Sequence, residues 1–187
     1  AVDLGCMWGA LTIPLAKEVR YVVGVDQTIE SLKFADARVM EEGLGNVGFL
    51  CTNLRDLDFP NESFDVAIVN GVLEWIPEIE PVVVGEYWYG TQQRHSQGNP
   101  GEMQLAFLRK VHKTLKSGGR LMLSIENRYD YKMFCGLKDP HSGTYFTTIM
   151  SRSMANIVSK FAKNRAYRPW IYSFRELKEL LQKAGFR

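Results

Sequence analysis

Residues 1–16 most narrow what this chain can fold into. Ala1 and Val2 run into Asp3, then into a turn holding Gly5 and Gly9, then into a stretch with Leu11, Ile13, Leu15 and Ala16 apolar. A strand, a glycine turn and a helix N-terminus in that order open a nucleotide-binding βαβ unit. Glycine keeps the turn tight and lets a ligand come close to the backbone. The helix start behind it offers unpaired N–H groups and a partial positive charge. Residues 21–26, YVVGVD, supply the second strand and end on Asp26, 17 residues after Gly9. A carboxylate at a strand's C-terminal end can accept hydrogen bonds from two vicinal hydroxyls, so the unit suits an adenosine-like group. The other reading of Asp26 is a plain strand-ending acid.

The rest of the chain repeats the alternation. A helix is predicted over residues 28–43, with Thr28 as N-cap, apolar Ile29, Leu32, Phe34, Ala35, Val39 and Met40, and a stop at Gly43 and Gly45. Strands are predicted at 47–51 (VGFLC) and 64–70 (FDVAIVN), separated by a polar loop with a Pro-Asn turn. Strands alternating with helices specify an α/β fold, a doubly wound, mostly parallel sheet with helices on both faces. The 187 residues fit one domain, 1–187.

Composition excludes several classes. The chain is 45% apolar and 24% charged with net charge +2, so bulk charge draws it to neither nucleic acid nor membrane. No run nears the roughly 18 apolar residues of a membrane span. Cys6, Cys51 and Cys135 are scattered without metal-ligand spacing and read as reduced thiols of a cytoplasmic protein. No secretory leader pattern and no initiator Met are present, and the sequence reads as a fragment at that end. The basic run Arg109, Lys110, Lys113 and Lys116 reads as a solvated helix face, since it lacks interleaved aromatics.

The glycine turn does not follow the G-x-G-x-x-G spacing of nicotinamide folds: from Gly5, the next two positions are Met7 and Ala10. With Asp3 ahead of it, the stretch resembles the D-x-G-x-G-x-G motif of class I S-adenosylmethionine-dependent methyltransferases. It matches at Asp3, Gly5 and Gly9 and departs at Met7. Residues 53–65, NLRDLDFPNESFD, are similar to that family's loop before the fourth strand, with Asn53 where an adenine-binding Asp is common. Segments 70–78 and 107–126 resemble the family's cofactor-closing segment and its helix, glycine turn and fifth strand, with Ser117 in place of a frequent proline. The resemblance runs to about residue 126. It implies S-adenosyl-L-methionine as cofactor, held by Asp3, Gly5, Cys6, Gly9, Asp26, Gln27, Asn53, Leu54 and Asn70. Asn53 can still present a carbonyl to an exocyclic amine.

Two segments exceed the minimal domain. Residues 80–101 read as an insertion or lid, in which Tyr87, Trp88 and Tyr89 line an acceptor cleft or simply clamp the loop. Residues 127–150 follow the fifth strand at the ligand-facing edge; from Asn127 they resemble a family subset with I-E-N-R and D-x-H-x-G stretches, loosely associated with sugar or cell-envelope acceptors. Here His141, in KDPHSG with Asp139 nearby, is the general-base candidate, against a surface turn histidine. His112 and His95 read as solvent-exposed. Glu74 faces the acceptor or pairs with a surface lysine, Trp75 reads as core, and Glu126 faces the pocket or pairs with Arg128. The tail is helical over 151–163, with Met154, Ile157, Val158 and Phe161 on one face, and over 173–184, where Ser173 and Glu176 form a capping-box pattern before Gly185.

The resemblance implies methyl transfer by in-line displacement to a small-molecule or sugar-like acceptor, expected at oxygen, with His141 and Glu74 as catalytic candidates and no metal. The alternative is a non-catalytic cofactor-binding or interaction module. The sheet is expected to be truncated at both ends, at about five strands, with an edge open to a homodimer.

Overall fold

The computed structural model describes residues 1–77, 98–139, 141–164 and 166–187. The strands are β1 (Val2–Leu4), β2 (Val22–Asp26), β3 (Val47–Cys51), β4 (Phe64–Asn70) and β5 (Leu115–Ser124). The helices are α1 (Thr12–Ala16), α2 (Ile29–Glu41), α3 (Pro100–Thr114), α4 (Tyr131–Phe134), α5 (Arg152–Lys163) and α6 (Phe174–Ala184). The five strands form one sheet in the order β3-β2-β1-β4-β5, with every pairing parallel. The chain winds outward from β1 through β2 to β3, then crosses back to β4 and β5. The reversal between β1 and β4 is where an open parallel sheet leaves a crevice at its carboxyl ends. The doubly wound parallel fold expected from the alternation is therefore present.

The central strands are short and apolar because helices cover them. Val2, Leu4, Val25, Ala67 and Val69 are buried and pack with Leu73, Ile76, Phe107, Leu108 and Val111. Each such Val, Leu, Ile or Phe side chain contributes about 1.5–3 kcal/mol relative to exposure. Helix α6 lies against α3 and adds Leu180 and Ala184 to this core. Its capping box is complete: Ser173 Oγ accepts from the Glu176 N–H, and the Glu176 carboxylate accepts from the Ser173 N–H. Gly185 ends it in the left-handed region at φ 109°.

Several local expectations need correction. Helix α1 is shorter than the apolar pattern suggests. Of the apolar set in α2, Leu32, Ala35 and Val39 are buried, while Ile29, Phe34 and Met40 are exposed. The Gly118–Gly119 turn is absorbed into β5 as a bulge: Phe64 pairs with Leu115, whereas Val66 pairs with Arg120. Trp75 is not core but 38% exposed. The apolar stripe of α5 faces outward at Met154, Ile157 and Phe161, and the helix buries Ala155 and Ser159 instead. His112 is exposed as expected, with Phe186 edge-on to its ring. Of the insertion, residues 80–97 lie outside the described residues; Asn99 caps α3 by accepting from Gly101 N–H at 2.9 Å.

Gly5 carries the tightest constraint. Its φ is 85°, and a β-carbon there would overlap a methyl of Val72 in the loop after β4. The left-handed conformation costs an L-residue roughly 1–2 kcal/mol, and overpacking adds about 1–3 kcal/mol. Gly5→Ala is therefore expected to lower the thermal midpoint by roughly 2–4 °C per kcal/mol lost, measured by circular dichroism. An unchanged midpoint would contradict the contact.

Candidate active site

Three carboxyl-end loops build the site. After β1, the Gly5 and Cys6 N–H groups both donate to Val25 O, at 2.8 and 3.0 Å, and Gly9 N–H closes on Cys6 O at 2.8 Å. Asp26, buried at the end of β2, ties this turn to the start of α2. Its Oδ2 accepts from Met7 N–H at 3.0 Å and its Oδ1 from Thr28 N–H at 2.8 Å. Met7 pays for its place with a φ of 44°, the region glycine prefers, and its side chain is 51% exposed. Asp3 lies beneath the turn, buried, with Thr12 Oγ1 donating to its Oδ2 at 2.6 Å. Burial pushes the Asp3 carboxyl up, although the Thr12 bond opposes it.

The other expected cofactor residues divide. Gln27 follows Asp26, and its Oε1 is buried with no hydrogen-bond partner among the described residues. Cys6 turns its thiol into the core against Gly24, and burial pushes that thiol up to about 12. Leu54 is a core residue. Asn53 is buried and caps the 3-10 turn Leu54–Asp56, its Oδ1 accepting from Arg55 N–H at 2.9 Å. Asn70 is exposed at the end of β4. An adenosine group fits these residues. Each Asp26 oxygen keeps acceptor capacity beyond its one backbone bond, the next residue, Gln27, has a buried oxygen without a partner among the described residues, and Met7 does not fold its side chain away into the core.

The loop after β4 joins this turn to a second cluster. Val72 meets Gly5, and the next turn, Leu73–Trp75, carries Glu74 and Trp75. The Trp75 and His141 rings lie 4.8 Å apart. His141 is no surface histidine: its side chain is 4% exposed. Its Nδ1 lies 3.3 Å from Asp139 Oδ1 and 3.7 Å from Glu126 Oε2. Burial pulls the imidazole down, but the Asp139 hydrogen bond and the Glu126, Asp139 and Glu74 charges outweigh it, and the net shift is upward. Burial pushes Asp139 up, yet hydrogen bonds from His141 and Ser142 bring it below its ordinary value. Glu74 is raised by burial, and its Oε2 is buried without a partner among the described residues. No three of the described His, Cys, Asp and Glu residues are placed to hold a metal.

Some of this was not visible in the sequence. Glu126 does not pair with Arg128, which is buried and donates instead to Glu176, Thr148 O and Met150 O. Ser142, Thr147 and Tyr167 all reach Asp139. The Ser/Thr-rich run after His141 was the available signal for that network. Arg109, Lys110 and Lys113 lie exposed on α3 as expected, with Lys110 on Arg55 O, but Lys116 is not on the helix: it lies in β5 and pairs with Asp65.

The strand order and the helices between the strands define a Rossmann-like α/β domain. The family described as "Methyltransferase domain" matches residues 1–87. An uncharacterized methyltransferase of Schizosaccharomyces pombe is 38% identical over 87 residues, 44% of this chain and 32% of that protein. Demethylmenaquinone methyltransferase of Lactococcus lactis is 27% identical over 199 residues, 99% of this chain and 64% of that protein. A solved S-adenosylmethionine-dependent methyltransferase of Methanosarcina mazei shares the fold at a TM-score of 0.61 and 18% identity, covering 98% of this chain and 77% of that one. Residues 1–87 are thus similar to a methyltransferase domain, and the fold over nearly the whole chain is that of a solved S-adenosylmethionine-dependent methyltransferase. It spans 32%, 50% and 40% of the first three curated relatives it matches.

The raised His141 value has a definite sign. Its contribution to stability is fully present below the unfolded value of 6.5 and is lost as pH rises through the higher folded value. The stability difference between wild type and His141→Gln, from denaturant unfolding, is therefore expected to shrink as pH rises from below that value to well above it. A difference that grows with pH would reverse the assignment.

Proposed function

We propose that this protein transfers a methyl group from S-adenosylmethionine to a hydroxyl of a small, sugar-like acceptor. The observation that carries the proposal is the contiguity of the glycine turn, Val72, Glu74–Trp75 and His141 along one sheet edge. When bound, the cofactor supplies a sulfonium methyl, which is already a strong electrophile. Asp26 and Gln27 would take the adenosine ribose, and the turn at Gly5–Gly9 the amino-acid tail. What remains for the chain is to orient the acceptor, worth up to roughly 7–11 kcal/mol in well-aligned systems, and to remove the hydroxyl proton.

His141 is the base in this proposal, a role worth about 10²–10⁴-fold. Glu74, raised by burial and with an oxygen that meets no partner among the described residues, is the second polar group offered to the acceptor. Trp75 offers a half-exposed indole beside these polar groups, a surface that suits the flat apolar face of a sugar ring. No described helix is long and apolar enough to cross a membrane, and we place the reaction in the cytoplasm. The β5 edge, paired with β4 alone among the described strands, would accept a second copy.

The test is tritiated methyl transfer to simple glycosides and, in parallel, to a quinol, the kind of acceptor the Lactococcus relative's name indicates. Transfer to a glycoside is expected, with His141→Gln lowering kcat about 10²–10⁴-fold while S-adenosylhomocysteine affinity stays unchanged. Transfer only to the quinol would overturn the saccharide assignment. Binding without transfer to any acceptor would favour the non-catalytic module.

A further inference from the structure

Asp139 is held more firmly than a turn residue requires. It is buried, and its backbone N–H donates to Thr144 O at 2.9 Å, closing the turn over His141. Its Oδ2 accepts from Ser142 Oγ at 2.6 Å, Tyr167 OH at 3.3 Å and Thr147 Oγ1 at 3.4 Å. Its Oδ1 accepts from the His141 backbone N–H at 3.0 Å and faces the His141 ring nitrogen Nδ1 at 3.3 Å. A carboxylate so surrounded by donors is ionised and can only accept. The nitrogen facing it must then carry the proton. Glu126, just beyond β5, brings a second carboxylate to the same nitrogen at 3.7 Å.

We infer that Asp139 and Glu126 are positioning residues that act through His141, together fixing its proton on Nδ1 and leaving Nε2 as the proton-accepting nitrogen. The inference rests on His141 being the base. In the step, the acceptor O–H bond breaks and its proton goes to Nε2. The oxygen forms a bond to the methyl carbon, and the carbon–sulfur electron pair stays on sulfur. The imidazolium so formed lies between two carboxylates, which stabilise its charge until the proton leaves to solvent.

The charged groups facing His141 come from three places: Asp139 in its own turn, Glu126 after β5, and Glu74 from the Leu73–Trp75 turn. The three carboxylates act in the same direction. Asp139 and Glu126 differ in how they can be tested. Asp139 supports a buried network, and its loss also releases Ser142, Thr147 and Tyr167. Glu126 is half-exposed, so Glu126→Gln removes a charge without opening the core.

The experiment is a nitrogen-detected NMR titration of the His141 ring in the chain without cofactor, for wild type, Glu126→Gln, Glu126→Asp and Asp139→Asn. Its companion is the pH profile of kcat/KM for the same proteins. The wild-type ring is expected in the Nδ1–H form with a midpoint above 6.5. Glu126→Gln is expected to move that midpoint and the acidic limb of kcat/KM downward together, with an unchanged melting temperature, and Glu126→Asp to restore both. Asp139→Asn presents an amide donor to Nδ1, favours the Nε2–H form, and is expected to lower kcat about 10²–10⁴-fold with little change in KM. An Nε2–H wild-type ring, or a midpoint unmoved in Glu126→Gln, would overturn the inference. If the tautomer and midpoint behave as stated but His141→Gln keeps full activity, the base assignment falls and the carboxylate clamp stands.

Discussion

The missing side chain at Gly5 lets two loops of this sheet touch. The turn after β1 and the loop after β4 lie on either side of the crevice where the winding reverses, and Val72 fills the space a β-carbon would need. Through that contact the turn that would hold the cofactor's amino-acid tail is set against the loop that carries Glu74 and Trp75, and through Trp75 against His141. A side chain at Gly5 would push these parts away from each other. The geometry of the whole carboxyl edge thus depends on one position where backbone approaches side chain.

Burial sorts the acids of this edge by what surrounds each one. Asp3 has one hydroxyl donor and is pushed up by desolvation. Glu74 has an oxygen with no partner among the described residues and is also pushed up. Asp139 is as deeply buried as Asp3 but is surrounded by donors, and it moves down. The same carboxyl group is thus raised at Asp3 and Glu74 and lowered at Asp139. Donor count, and not depth, separates them.

Much of this was legible from residue order. The alternation of apolar strands and helices gave the sheet, because a strand covered on both faces must be apolar throughout. Asp26 at the end of β2 and the Ser173–Glu176 capping box follow from local chemistry that tolerates few alternatives. What was not legible depends on tertiary contact. Trp75 is apolar, so composition assigns it to the core; its partner is a polar ring 4.8 Å away that lies in a distant segment. The stripe of α5 obeys a helical period, yet periodicity cannot say whether anything covers it, and Phe161 is left 89% exposed. Gly118 and Gly119 read as a turn, but strand pairing with β4 continues past them as a bulge. His141 is the instructive case. A histidine between Pro140 and Ser142 reads locally as a surface turn, and only the convergence of Asp139, Glu126 and Trp75 on its ring reveals an enclosed, charged site.

Asp26 ties Met7 and Thr28 to the end of β2, and in the proposed function it forms the ribose end of the S-adenosylmethionine site. Titration calorimetry with S-adenosylhomocysteine, on wild type and on Asp26→Ala with its fold checked by circular dichroism, tests it most directly. Hydrogen bonds to a charged group contribute about 1.5–3 kcal/mol, so Asp26→Ala is predicted to weaken binding roughly 10- to 150-fold in a folded protein. Equal affinity in the two proteins, or no binding to the wild type, would contradict the account.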